Sequence, residues 1–141
     1  MPTDILFRNE NGKICYYYDS VFVAGIAVDN TSYNTGTFAD RNYDVRSFDG
    51  FSIVLENTGA NSVDYTILST TKEIANLTNG MADLVLADFG ITEVATTTIP
   101  AGTKSTPFVH LNLDSSITAF KIRAKTTGAP TSTLKGYVRG K

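Results

Sequence analysis

Ile117-Thr-Ala-Phe120-Lys-Ile-Arg-Ala-Lys125-Thr-Thr-Gly128-Ala-Pro130-Thr-Ser-Thr-Leu134-Lys-Gly136-Tyr-Val-Arg-Gly140-Lys141 is the stretch on which the reading of this chain turns. Apolar and charged residues alternate with period two on both sides of a Gly/Pro turn signal. Successive side chains of a strand point to opposite faces, so this pattern predicts two half-buried strands joined as an antiparallel hairpin. Phe120, Ile122 and Ala124 share one face, and Lys121, Arg123 and Lys125 share the other. On the return strand Leu134, Gly136 and Val138 alternate with Lys135, Tyr137 and Arg139. The segment holds six basic residues and no acid, whereas Met1 to Ser116 holds 6 basic and 14 acidic residues, a balance of −8. An acidic body carrying a basic end suggests a surface built to meet another surface, because charge distribution governs association rather than fold.

The same vocabulary runs back through the chain. Phe51 to Asn57 and Val63 to Thr70 alternate around Thr58-Gly59-Ala60-Asn61 and predict a second hairpin. Val21 to Val28 is nearly all apolar and β-branched around Gly25 and predicts a buried strand with a bulge or a close backbone approach. Tyr43 to Phe48 and Phe108 to Leu113 also alternate, and Ile91 to Thr98 resumes the strand pattern. Asp49-Gly50 and Ile99-Pro100-Ala101-Gly102-Thr103 are turn chemistry. Residues 72–89 carry a broken helical spacing, Ile74, Leu77, Met81 and Leu84 with Gly80 between, which predicts a short helical turn. Asn11-Gly12 predicts a small N-terminal hairpin. Seven or eight short strands at intervals of about 8–12 residues predict an antiparallel β-sandwich, immunoglobulin-like or jelly-roll-like. The organisation expected is an arm or small hairpin over 1–19 and one sandwich domain over 20–141.

Composition agrees. Charged residues make up 18% of the chain, below the roughly 25% of an average soluble domain, and Thr, Asn, Ser and Gly take the place of charge. These residues suit pleated surfaces and turns. Cys15 is the single cysteine, so no intrachain disulfide forms. No apolar run approaches the roughly 18 residues of a membrane helix. The first ten residues lack the basic start and apolar core of a secretory leader.

Catalytic material is sparse. His110 is the one histidine, on a strand with Phe108 and Asn112 as same-face neighbours, and reads as a packed side chain. No Gly-x-Ser-x-Gly turn supplies a strained nucleophile. One His and one Cys do not make a zinc site. Asp29, Asn30, Asp40 and Asp44 offer oxygens without EF-hand spacing. Asn30 and Asn76 match the glycosylation pattern, which matters only for an exported chain. The Gly136-to-Lys141 segment has neither the glycine spacing nor the following helix of a phosphate loop, and reads as a strand end. No catalytic, metal or cofactor residue is therefore assigned. A pI of about 5.2, with Tyr137 the single aromatic among the basic residues, argues against a nucleic-acid surface. Two readings of the basic residues stand side by side: cross-strand ion pairs within their own sheet, or contact with an acidic neighbour. Tyr16, Tyr17, Tyr18, Tyr33 and Tyr43 are the candidate platforms for sugar, with interface packing as the alternative.

Four pieces together resemble the small β-sandwich structural proteins of tailed-phage and related virions, especially capsid decoration proteins. They are Val45-Arg-Ser-Phe48-Asp-Gly-Phe-Ser-Ile-Val-Leu-Glu-Asn-Thr-Gly59, Val63-Asp-Tyr-Thr-Ile-Leu68, Ile99-Pro-Ala-Gly-Thr103 and Phe120-Lys-Ile-Arg-Ala-Lys-Thr-Thr-Gly-Ala-Pro-Thr131. The likeness is one of style over roughly the last two-thirds of the chain, and such sandwiches also occur in tail proteins and pilus subunits. It implies a non-enzymatic virion protein without cofactors. Such a protein binds the major capsid protein or other virion components and forms a homo-oligomer, a trimer foremost. A sugar- or surface-binding module of a tail fibre, pilus or cell-surface filament is the alternative. The interface residues expected are Ile5, Leu6, Phe7, Tyr16, Tyr17 and Tyr18 in the arm, with Lys121, Arg123, Lys125, Lys135 and Arg139 at the basic end.

Overall fold

The computed structural model describes residues 8–10, 13–16, 20–29, 41–46, 48–73, 84–111, 116–128 and 131–140. Strands β1 (Arg8–Glu10) and β2 (Lys13–Tyr16) pair antiparallel as a two-stranded sheet of their own, as the Asn11-Gly12 signal predicts, and β2 lies close to the last strand of the sandwich, Thr131–Gly140. The rest is a sandwich. A five-residue helix α1 (Ser20–Ala24) leads into β3 (Ile26–Asp29). Then follow β4 (Arg41–Asp44), β5 (Gly50–Asn57), β6 (Val63–Thr70), β7 (Ile91–Ile99), β8 (Phe108–Leu111), β9 (Ala119–Thr126) and β10 (Thr131–Gly140).

These eight strands form two antiparallel four-stranded sheets, ordered β3-β10-β5-β8 and β4-β9-β6-β7. The pairs β3–β10, β4–β9, β5–β8 and β6–β7 are nested one inside the next along the chain. Such nesting describes one long ribbon of paired strands. Pairing of β10 with β5 and of β9 with β6 closes the rolled ribbon into two sheets. This is the jelly roll, the architecture of eight strands in two Greek keys. The all-β sandwich expected from the alternation is present, in its jelly-roll form.

The connectivity differs from the sequence reading in an instructive way. The strands on either side of Gly128 do not pair: β9 lies in one sheet and β10 in the other. The Phe51–Thr70 stretch behaves likewise, with β5 and β6 in opposite sheets. In both cases the apolar faces meet across the core rather than side by side. Alternation specifies which side of a strand is buried, and both arrangements satisfy it equally. The predicted strand over Val21–Val28 is instead α1 followed by β3. Gly25 at φ 108° makes the break, a conformation that residues with a side chain rarely adopt. The helical signal over 72–89 resolves into a 3-10 turn at Leu86–Asp88, and 74–83 lie outside the described residues.

The core lies between the sheets. Phe51 stacks on Phe120 at 5.2 Å between ring centres, and Phe108 meets the same Phe120 edge-on at 5.5 Å. Ile53, Leu55, Ile67, Ile122 and Leu134 are buried around them. Tyr43, a candidate platform in the sequence, is wholly buried and packs against Phe51 at 5.9 Å. β10 carries glycine at two inward positions, and larger side chains occupy the space. The ring of Phe22 from α1 sits where a Cβ on Gly136 would be, and Phe48 does the same at Gly140.

Asn57, at the end of β5, is wholly buried and fully bonded. Its Nδ2 donates to the carbonyls of Asn61 at 2.7 Å and Ile99 at 3.0 Å. Its Oδ1 accepts from the Gly59 amide at 3.1 Å and the Ser132 hydroxyl at 2.8 Å. One amide thereby ties the β5–β6 crossing, the end of β7 and the start of β10. Gly59 packs so tightly on Ser132 and Thr133 that a side chain there has no room.

Candidate functional site

The two outer faces of the sandwich are not alike. Outward positions of β9 and β6 include Ala119, Lys121, Leu68 and Thr70. The 84–90 segment lies over this face. Leu84 and Phe89 pack with Ala119 and against Leu68. Thr70 Oγ1 donates to the Asp88 carbonyl at 2.8 Å, and Lys72 Nζ donates to Asp88 Oδ1 at 3.1 Å. Asp88 Oδ2 accepts from the Val85 amide at 2.8 Å. That backbone bond, followed by Lys72, lowers the Asp88 pKa below the ordinary carboxylate value.

Lys121 is consequently 3% exposed, with Nζ 4.9 Å from the centre of the Phe89 ring. A desolvated cation over an aromatic face is attracted to its π-electrons. This corrects the expectation that Lys121 belongs to an open basic surface. Arg123 and Lys125, further along β9, are partly exposed. Lys125 stands directly across from Asp64, the arrangement of a cross-strand ion pair. Asp64 Oδ1 also accepts from Thr98 at 2.6 Å and Thr127 at 2.7 Å.

The other two predicted basic residues, Lys135 and Arg139, project from the outer face of the opposite sheet. The basic end of the chain is thus divided between two faces that look in opposite directions. The cause is the crossing between β9 and β10, which alternation did not reveal. On the β3-β10-β5-β8 face Lys135 stands across from Glu56, Tyr137 from Val54 and Arg139 from Ser52. Ser52 in turn stands across from Val109. Tyr137 is 42% exposed, Val109 56% and Leu111 68%. Tyr137 donates its hydroxyl to Glu56 Oε1 at 3.3 Å. Val109, Leu111 and Val54 did not stand out in the sequence, because an outward apolar residue in a strand reads there as core.

Of the arm residues, Tyr16 ends β2, while Ile5, Leu6, Phe7, Tyr17 and Tyr18 lie outside the described residues, as do Tyr33, Asn30, Asp40 and Asn76.

His110 lies at the edge between the sheets, against Phe108 at 6.4 Å and Phe120 at 5.7 Å between ring centres. Its Nε2 is 4.0 Å from Glu93 Oε1, which accepts from the Ser69 hydroxyl at 2.8 Å. The β6–β7 register slips between Ile67 and Leu68, so Glu93 has no cross-strand partner there. A slip of this kind re-aims a side chain, and here the carboxylate turns toward Ser69. The group holds a hydroxyl, a carboxylate and an imidazole, but in an order unsuited to acyl transfer. The carboxylate, rather than the imidazole, holds the hydroxyl. Ser69 is wholly buried, so its oxygen has no open approach. Asp44 is engaged by a two-point clasp from Arg46, with Nε to Oδ1 at 2.9 Å. Among the described residues no three His, Cys, Asp or Glu side chains cluster as metal ligands. Among them no helix is long and apolar enough to cross a membrane.

A scan against protein-family models, a search of curated proteins and a search of solved structures each found no match.

Proposed function

We propose that this chain is a non-enzymatic structural protein of a virion, of the capsid-decoration kind, binding an outer protein shell and neighbouring copies through an outward sheet face. The observation that carries the reading is the contrast between the two faces. One is roofed by the chain's own 84–90 segment, with Lys121 beneath it and Val85 of that segment exposed. The other leaves Tyr137, Val109 and Leu111 exposed beside Lys135 and Arg139. Exposed apolar side chains rimmed by polar ones are the usual composition of a protein-binding surface. Jelly rolls are common among viral capsid domains and also among lectins, so the architecture agrees with the reading without fixing it. On a lattice, many weak contacts of this kind add to high avidity.

The test is to purify particles from the producing culture on a density gradient and label them with antibody against this chain. The expected result is regular labelling of the particle exterior in electron micrographs. Recovery of the chain only in the slow-sedimenting soluble fraction would refute the proposal.

A further inference from the structure

The exposed sheet face carries both signs of charge in a register that suits a copy of itself. Along β10 the outward residues are Lys135, Tyr137 and Arg139, and along β5 they are Ser52, Val54 and Glu56. Lys135 and Glu56 lie side by side, and so do Tyr137 and Val54. Lys104 flanks Glu56 on its other side, at the rim.

We infer that this face pairs with the same face of a second copy, about a two-fold axis parallel to the strands and midway between β5 and β10. A rotation about that axis lays β10 of one copy over β5 of the other at the same height. Each Lys135 then meets Glu56 of the second copy, so four charges alternate in sign around a square. Each Tyr137 meets Val54 of the second copy. Such an interface is isologous: one patch serves both sides, and every contact occurs twice. The hydroxyl of Tyr137, donating to Glu56, holds the carboxylate on the face where the opposing ammonium arrives. Val109 and Leu111 extend the apolar area on the β8 side. Sheets stacked through their faces pack about 10 Å apart, close enough for these side chains to interdigitate.

The inference deepens the proposed function by naming the face and one of its partners. It rests on that reading only in taking this outward face as the working surface. It also commits to two-fold pairing in place of the trimer that the family resemblance implies.

The experiment is the mass of the full-length chain by light scattering and sedimentation, from low to high micromolar concentration, with circular dichroism to confirm folding. The expected result is concentration-dependent association to twice the 15.2 kDa chain mass. Glu56→Lys or Lys135→Glu alone gathers like charges at the centre and should weaken the dimer about tenfold or more. The double variant E56K/K135E restores the alternation and should restore dimerisation. Val54→Asp should abolish it. A wild-type mass of one chain throughout, a mass of three, or a folded Glu56→Lys protein that dimerises unchanged would each overturn the inference. None of these bears on particle labelling. A monomer found regularly on virions sinks this pairing alone, and a dimer absent from virions sinks only the decoration reading.

Discussion

At the scale of single residues, Asn57 shows how much one buried polar side chain can organise. Its amide makes four hydrogen bonds to three separate parts of the chain and has no contact with water. A buried polar group is tolerated when all its bonds are made, and is costly when some are not. Asn57→Ala leaves the Gly59 amide and the carbonyls of Asn61 and Ile99 without that partner, and should lower unfolding free energy by about 3 kcal/mol. Urea denaturation checks this. A loss within about 0.5 kcal/mol, the range of ordinary surface substitutions, would show that water replaces the amide at little cost. Lys121 makes a complementary point. Nothing in its own neighbourhood of alternating Phe, Ile and Ala separates it from Arg123 and Lys125. It is buried, and Phe89, distant in sequence, lies against its ammonium.

At the scale of elements, β10 is built to receive α1. Glycine in a strand interior, as at Gly136, would ordinarily be a weakness, but Gly136 and the terminal Gly140 each leave a recess that an aromatic ring fills. Gly136→Ala places a methyl group where Phe22 lies, and overpacking of this kind costs about 1–3 kcal/mol. Phe22→Ala empties the recess and should cost about 3–5 kcal/mol. The two share one space, so the double variant should lose clearly less than the sum. Strict additivity in a denaturation cycle would mean that they are not coupled. The strands themselves were legible in the sequence: β5, β6, β8, β9 and β10 lie where period two places them, and β7 where the strand-like run Ile91–Thr98 does. What misled was the connection. The sequence signal for a turn at Gly59 or Gly128 is the same whether the chain returns beside its own strand or crosses to the facing sheet. α1 was hidden by the apolar run Val21–Val28, where β-branched residues favour a strand. The positive φ of Gly25 and the packing of Phe22 on Gly136 decide otherwise.

At the scale of the whole molecule, the nested pairing sets an order of closure. β6 and β7 are the innermost pair, with only residues 71–90 between them, whereas β3 and β10 enclose nearly the whole sandwich. Closing a short loop costs less entropy than closing a long one, so the ribbon should grow outward from β6–β7. Ile67→Val, in β6, should therefore slow folding. Val28→Ala, in β3, should chiefly speed unfolding, as read from stopped-flow chevrons. The reverse assignment would place the nucleus at the chain ends. The acidic body and basic end were plain in the sequence, yet the basic residues divide between two opposite faces and one of them is buried. From residue order alone came the all-β class, the positions of most strands and the inward side of β5, β6, β9 and β10, because alternation and turn chemistry are local properties. Which strands lie together and which face the 84–90 segment covers depended on tertiary structure. Those outcomes follow from packing between segments far apart in the chain, to which local pattern is indifferent.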